Sequence, residues 1–445
     1  MKRKLASATG KFQKPTKPTV ELNDEPQAHF AHCVQPRIFP PAVEQAGGHG
    51  AMYFHSHVNH SHSNNTCPVT APHVPFHEEP PCFEDQAIAL GGKPIFIEAK
   101  GPPFFATETL HQPLSVCGDG ARARGQMRVY NPGIVRNPYK TVTGHYIASF
   151  RIQHMENNNT ISVSRIVLCG LTKDGQVMWT QELKDLDGVR TDGRIYMAED
   201  GRLILVGNKL YLAYTKVSLQ PHETTPIVQF KQALAVMSPT KNINRTGATV
   251  GPAYFKVHEV YQPKYGKNGQ DHPGHEKNWQ FFISALGLEL SSVYSINPHI
   301  VIGPTGKAVV TECEAANDWT KTWGEMHGGT PPIRLADGSF ITFFNSYVQH
   351  AEHQRRYVIG AYRFAGSADK YRITHITTKP LFIGSERHGF PWESPVYWEP
   401  IVMFATGAAL SLCGRFVTLT VGINDCFPGM CELPMDSVMA AMMKV

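Results

Sequence analysis

The sequence predicts an all-β protein: a five-bladed β-propeller over residues 86–445, behind an N-terminal extension, residues 1–85, that is disordered or loosely packed. Three observations carry this. Glycine and proline are abundant, 38 and 33 in 445 residues, and charged residues make up only 18%, a balance that suits strands and turns better than long helices. From about residue 115 the chain runs as apolar segments of strand length broken by turn signals, with one helical run, Pro434 to Met443. The roughly 330 residues of this pattern exceed one sandwich but divide into about five blades of four strands, about 65 residues each.

The extension comes first. It is rich in Pro, His, Asn and Ser, lacks apolar periodicity, and crowds His49, His55, His57, His60, His62, His73 and His77 together. Such a segment cannot bury enough surface to offset its ordering entropy. A His-rich tract can bind metals adventitiously, but no physiological metal site is expected. Strand segments follow, among them Tyr146 to Arg151, Ile161 to Leu168, Ala308 to Val310 and Phe340 to Phe344. Asp174-Gly175, Gly207-Asn208 and Asp337-Gly338 lie between strand pairs as hairpin turns. No WD40 or kelch signature accompanies them.

Composition excludes several classes. The net charge is +5, and no dense basic stripe follows Lys2-Arg3-Lys4, which argues against a nucleic-acid partner. No stretch approaches the apolar length of a membrane span. No apolar segment follows the basic N-terminus, so no secretory signal is expected. Nine scattered cysteines, an odd count, read as mostly free thiols in a reducing compartment, hence a cytoplasmic protein. Cys426 and Cys431 are too widely spaced for a CxxC zinc pair, and the sequons at Asn64, Asn158 and Asn244 read as chance matches. Oligomeric state is not legible.

Five polar clusters recur at roughly blade intervals. They are Asn131-Pro132-Gly133 with Arg151 at a later strand end; Glu199-Asp200-Gly201-Arg202 at the head of a strand; Lys277-Asn278-Trp279; His327-Gly328-Gly329-Thr330-Pro331-Pro332 with Asn345 after it; and Asn424-Asp425-Cys426. Each alone reads as a turn or tight corner, and Trp279 as packing or a sugar platform. Together they suit a funnel site built from loops and inner-strand ends of several blades. His272 and His275 could line the funnel but equally read as exposed loop residues. Asp185-Leu186-Asp187 has the D-x-D form of a nucleotide-sugar metal motif, but no βαβ pattern surrounds it.

In this order the clusters resemble the five-bladed propeller enzymes of glycoside hydrolase family 130 and the related glycosyltransferase family 108, phosphorylases and mannosyltransferases acting on β-mannosides. The resemblance spans about 125–440. It implies Asp200 as the general acid, Asn131 and Arg151 as sugar contacts, Lys277 and Asn278 as a pair touching mannose and phosphate, and Asp425 as a carboxylate holding sugar hydroxyls. Arg202 completes the acidic motif, as a substrate-binding residue. Departures are Gly201 where the family has proline, and His327 and Asn345 where stronger phosphate ligands stand.

The residues themselves argue in the same direction. An inverting displacement needs an acid for the leaving oxygen and a nucleophile on the opposite face. With phosphate as nucleophile no catalytic base is needed, only cations and donors that hold an anion in line. One carboxylate amid scattered cations therefore fits phosphorolysis better than hydrolysis. The expected function is transfer of a mannosyl unit between a β-mannoside and phosphate, with α-mannose 1-phosphate as product or donor. A mannose-containing oligosaccharide or glycan and a sugar phosphate are its partners, and it needs no cofactor beyond inorganic phosphate or the sugar phosphate. Two alternatives remain: a mannosyltransferase with little phosphorolysis, and a non-catalytic carbohydrate-binding propeller.

Overall fold

A computed structural model describes residues 71–76, 78–97, 127–156, 161–183, 186, 195–207, 209–220, 227–240, 254–261, 277–284, 290–350, 354–367, 370–388 and 400–445. All belong to one compact unit, Ala51–Val445. Helix α1 (Phe83–Ala89) leads into strand β1 (Lys93–Ile95). Then come β2 (Met127–Arg136), β3 (Tyr146–Glu156), β4 (Ile161–Leu171) and β5 (Val177–Glu182), which pair in chain order as an antiparallel meander. The pattern repeats with β6 (Ile195–Val206), β7 (Lys209–Gln220), β8 (Ile227–Thr240) and β9 (Tyr254–Tyr261), and again with β10 (Gln280–Ile283), β11 (Leu290–Ser295), β12 (His299–Ile302) and β13 (Ala308–Thr311).

After α2 (Glu314–Trp323) comes a larger sheet. It holds β14 (His327–Gly328), β15 (Ile333–Arg334), β16 (Phe340–Gln349), β17 (Arg355–Ser367), β18 (Lys370–Thr377) and β19 (Phe382–Ile383). The last sheet is β20 (Met403–Leu410), β21 (Phe416–Ile423) and β22 (Phe427–Pro434). Helix α3 (Met435–Ala440) and β23 (Met442–Lys444) end the chain.

This is an all-β, propeller-like arrangement, in which each sheet packs on the next and the last packs back on β2. The chain closes it non-locally: β1 adds an outer fourth strand to the last sheet through Lys93↔Glu432 and Ile95↔Met430, and β23 adds to β18. Four sheets have the expected four strands and one has seven. The extra strands have a local cause. Both β14 and β15 pair with β16, on either side of Gly329-Thr330-Pro331-Pro332; two prolines without N–H groups cannot continue a ladder. In the same way, β18 and β19 pair with different parts of β17.

The three turns expected at Asp174-Gly175, Gly207 and Asp337-Gly338 are present, each with glycine in the left-handed region (φ 84°, 60° and 83°). The tail helix is found as α3, while α1 and α2 were not anticipated. Helix α2 buries Ala316 and Trp319 and stacks Trp319 near Trp323 at 6.2 Å, the i, i+3, i+4 spacing of an amphipathic helix.

The expected domain boundary at 85 falls inside a packed element. Phe83 and Ala87 of α1 are buried in the core with Phe382, Leu419 and Leu433. Upstream, Arg356, fully buried, receives a bidentate clasp from Glu79 (2.9 and 2.8 Å) and also bonds the Gly384 carbonyl (2.9 Å). A bidentate buried pair of this kind fixes the segment's position. Five of the described cysteines (Cys169, Cys313, Cys413, Cys426 and Cys431) are free, and Cys82 is disulfide-bonded. Among the described residues no helix is long and apolar enough to cross a membrane. The histidine tract before His73, with His77, His272, His275, Asp185 and Asp187, lies outside the described residues.

Candidate functional site

The quartet Glu199-Asp200-Gly201-Arg202 does not head a strand. It lies in the middle of β6, where the register to β7 shifts between Glu199 and Arg202. Asp200 has φ 52°, and this left-handed residue makes the bulge. In an ordinary strand Glu199 and Asp200 would face opposite ways; the bulge turns both carboxylates onto one cation. Arg151 donates from Nη2 to Glu199 Oε1 (2.6 Å), from Nη1 to Asp200 Oδ1 (3.3 Å) and from Nε to Ser164 Oγ (3.1 Å).

The preceding sheet carries a matching bulge. The β2–β3 register shifts between Tyr130 and Gly133, and Asn131 has φ 49°. The two bulges touch: Asn131 Nδ2 donates to Asp200 Oδ1 (2.7 Å) and Ser149 Oγ donates to the Gly201 carbonyl (2.7 Å). Gly133 permits this, since a Cβ there would collide with that same carbonyl. Gly422 of β21 likewise leaves room for the Asn131 side chain. Gly201 is needed for packing, because a Cβ would press Leu212 (2.9 Å) and Ile166 (3.1 Å).

The other predicted residues converge on this point. Arg202, fully buried, donates from Nη2 to Asn278 Oδ1 (3.0 Å) and the Gly328 carbonyl (3.2 Å), while among the described residues its Nε and Nη1 have no partner. Its guanidinium lies 6.0 Å from the Phe404 ring. Asn278 (φ 66°) and Asp425 (φ 49°) are also left-handed. Lys277 Nζ sits 5.3 Å from the Phe230 ring, close enough for its charge to act on Asp200 and Glu199. Asp425 bears on Arg151, Glu199 and Lys277.

Electrostatics separate the two adjacent carboxylates. Burial pushes Glu199 up, more than Arg151 offsets, and the Asp200 charge pushes it further. Burial also pushes Asp200 up, but Arg151, Arg202 and the Asn131 hydrogen bond outweigh it and hold Asp200 below the ordinary carboxylate range. Burial lowers Arg202 to about 10, with Asp200 opposing. Burial lowers Lys277 too, against the pull of both carboxylates. Arg151 stays charged: burial opposes it, and Glu199, Tyr130 and Asp200 prevail. Two linked acids with environments that pull them apart form the pattern of a proton-handling site. Among the described residues nothing bonds Asp200 Oδ2.

Two predicted residues stand apart. Asn345 is fully buried, and its amide is occupied by backbone: Nδ2 donates to the Ala405 carbonyl (3.1 Å) and Oδ1 accepts from Ala405 N–H (2.7 Å). It ties the seven-stranded sheet to β20, so the amide expected to face an anion is bonded to backbone. His327 is half-buried and parallel to the Tyr347 ring, 5.8 Å away. Trp279 is packing, 3% exposed against Phe281 and Tyr294. Glu199 and Ser164 were not among the predicted site residues. Tyr130, 5.0 Å beneath the Arg151 guanidinium, was also missed. The acidic doublet itself was the available signal for Glu199.

No family model matches the chain, and no curated protein matches it. Among solved structures it is similar to a putative glycoside hydrolase from Parabacteroides distasonis (TM-score 0.46, 12% identity, 76% of this chain and 96% of that one). A β-1,2-mannobiose phosphorylase from Listeria innocua, in complex with β-1,2-mannobiose, matches at TM-score 0.40 and 12% identity over 71% of this chain and 93% of that one. A B. megaterium levansucrase variant matches at TM-score 0.39 and 11% identity over 80% and 89%. At these scores the functional reading rests on the site itself.

Proposed function

We propose that the protein is a carbohydrate-active enzyme that moves a mannosyl unit between a β-mannoside and phosphate, with inversion and with α-mannose 1-phosphate as product or donor. One observation carries the reading: a buried carboxylate, Asp200, with one oxygen unbonded among the described residues, on a floor that also holds Arg151, Arg202 and Lys277. That floor offers a proton-transfer group beside cations for an oxyanion, the pair of functions phosphorolysis needs. The ordered motif set supports the sugar as mannose, and counting the seven-stranded sheet as the fifth blade supports the propeller architecture. Asp200 transfers the proton; Asn131, Arg151, Arg202, Lys277, Asn278 and Asp425 hold sugar and anion, with His327 at the edge.

Hydrolysis fits less well. Its second carboxylate must sit across the sugar from the first, whereas Glu199 shares Asp200's arginine and lies on its side. A synthetic transferase is the second reading, and a specific observation favours it. Asp200 is held ionised, which equips it as a base toward an acceptor hydroxyl, and Asn345 adds nothing to anion binding. The test incubates the full chain with α-mannose 1-phosphate and a panel of mannose and glucose acceptors, following phosphate release and chain extension together. Both should appear, and Asp200→Asn should abolish both while the protein stays folded and still binds mannose. Full turnover in that variant, or no turnover in the wild type, overturns the assignment.

A further inference from the structure

Among the described residues the floor of the site is balanced in charge before any ligand enters. Three carboxylates, Glu199, Asp200 and Asp425, face three cations, Arg151, Arg202 and Lys277. Yet it is not balanced in hydrogen bonds. Arg202 is fully buried, and among the described residues its Nε and Nη1 have no partner; nor does Oδ1 of Asn131, which is 4% exposed. Buried guanidinium donors without acceptors are costly, and their complement is an oxyanion, which accepts from such a fork. The same anion would add negative charge to a neutral cluster from which water is largely excluded. Something must then gain a proton or the anion is repelled.

We propose that docking of a phosphate-class oxyanion on Arg202 and Lys277 is coupled to uptake of a proton by Glu199, so that the anion and the proton enter the site together. The inference rests on the reading of the site as one that takes phosphate or a sugar phosphate.

The geometry selects Glu199. Asp200 is tied to its ionised form by Asn131, by Arg151 and by the Arg202 charge. Glu199 has its Oε1 bonded by Arg151 at 2.6 Å and approached by Ser164 at 3.5 Å. Among the described residues the charged and titratable groups that act on it are Arg151 from β3, Asp200 from β6 itself, Lys277 ahead of β10, Asp425 from the turn between β21 and β22, and Tyr130 from β2. Burial and the Asp200 charge already push its carboxyl up. A further negative charge brought into the cluster pushes in the same direction, because like charges favour the protonated form. The coupling would also meet a need of the chemistry. Phosphorolysis places a proton on the leaving oxygen, balanced overall by the one that hydrogen phosphate loses on becoming the dianionic ester, and Asp200 rests without a proton to give. Glu199 would bring that proton into the site only when the nucleophile is present.

The experiment is titration calorimetry of the full chain with sodium sulfate and with inorganic phosphate, at one near-neutral pH in buffers of different ionisation enthalpy. Sulfate matters because its own charge does not change in this range. The observed heat should vary linearly with buffer ionisation enthalpy, with a slope equivalent to uptake of up to about one proton per anion. Sulfate affinity should rise as pH falls, by at most about tenfold per pH unit. In Glu199→Gln, a neutral mimic of the protonated acid, sulfate should bind at least as tightly and the slope should fall toward zero. Sulfate binding with no buffer dependence in the wild type overturns the coupling while leaving phosphate as a substrate. Uptake that persists in Glu199→Gln overturns the assignment to Glu199. Failure of phosphate to bind overturns the phosphate reading as well. The wild-type buffer and pH series decide the matter alone if the variant does not fold.

Discussion

Replacing Arg151 with methionine removes the cation that, among the described residues, hydrogen-bonds both adjacent carboxylates. The side chain is 5% exposed and makes bonds of 2.6 Å to Glu199, 3.3 Å to Asp200 and 3.1 Å to Ser164. Breaking a buried ion pair by deleting one partner costs about 3–5 kcal/mol, because the other charge is left uncompensated. With melting shifts of about 2 °C per kcal/mol for a chain of this size, the loss is on the order of 5–10 °C. The loss should depend on pH in a defined sense. In the wild type Asp200 is depressed, so its contribution is present above its ordinary value of about 3.9 and disappears as pH falls through its folded value. Glu199 is raised, so its contribution is present below about 4.3 and is lost as pH rises through its folded value. Without Arg151, Asp200 loses the largest influence holding it down and Glu199 rises further. The variant's deficit should therefore be largest at about pH 8 and should shrink toward about pH 5, where protonation replaces the missing cation. Thermal melts of both proteins across this range measure it. A deficit under about 1 kcal/mol, or one that is constant with pH, would refute the argument that Arg151 neutralises a buried pair.

Three further outcomes follow from particular contacts. Asn345→Ala orphans the Ala405 N–H and carbonyl, so it should cost about 1–3 kcal/mol in denaturant melts and leave phosphate affinity in calorimetry unchanged; weaker phosphate binding would restore Asn345 as a ligand. Glu79→Ala strands the buried Arg356 guanidinium, and the expected loss is about 3–5 kcal/mol, with limited proteolysis cutting near residue 80 where the wild type resists. Gly422→Ala drives a Cβ into the Asn131 amide. It should reduce turnover by about 10–100-fold through displacement of the group bonded to Asp200, read as a fall in kcat at saturating donor.

How much of this could be seen in the sequence depends on whether a feature is local. The strands and their hairpin glycines are local: Gly175, Gly207 and Gly338 occupy left-handed positions that few other residues take without strain. Closure is not local. Nothing in Lys93-Pro94-Ile95 marks it as the partner of Glu432 to Met430, and the Glu79–Arg356 clasp joins residues 277 positions apart. The same holds just before residue 85, where a segment poor in apolar residues is held by the bidentate pair of Glu79 with the buried Arg356. Helix α2 was missed although Ala316, Trp319 and Trp323 have helical spacing, because it is a single short helix in a chain dominated by period-two segments. The residues of the site were mostly legible, since Asn131, Arg151, Asp200, Arg202, Lys277, Asn278 and Asp425 do meet. Asn345 was misread because its motif position says nothing of which way its amide is bonded.

What the motifs did not reveal is how adjacent residues come to act together. Five non-glycine residues in the described structure adopt left-handed backbone: Asn131, Asp200, Asn278, Asn424 and Asp425. All are Asn or Asp, the types that tolerate this region best. Each such residue costs on the order of 1 kcal/mol or more and persists only where its surroundings hold it there. Here the surroundings are the site. Asn131 and Asp200 bond each other, Asn278 accepts from Arg202, and Asn424 fixes Val402 through Oδ1 at 3.0 Å while Asp425 turns toward Arg151. The strain is thus distributed over four sheets and converges on one cluster. This explains why Glu199 was read as part of its cluster in the sequence but assigned no role in the site. Read as a strand, Glu199-Asp200 offers one carboxylate to each face; only the bulge at Asp200 makes them neighbours on a single guanidinium, and with that the two acids acquire opposite shifts and separate tasks.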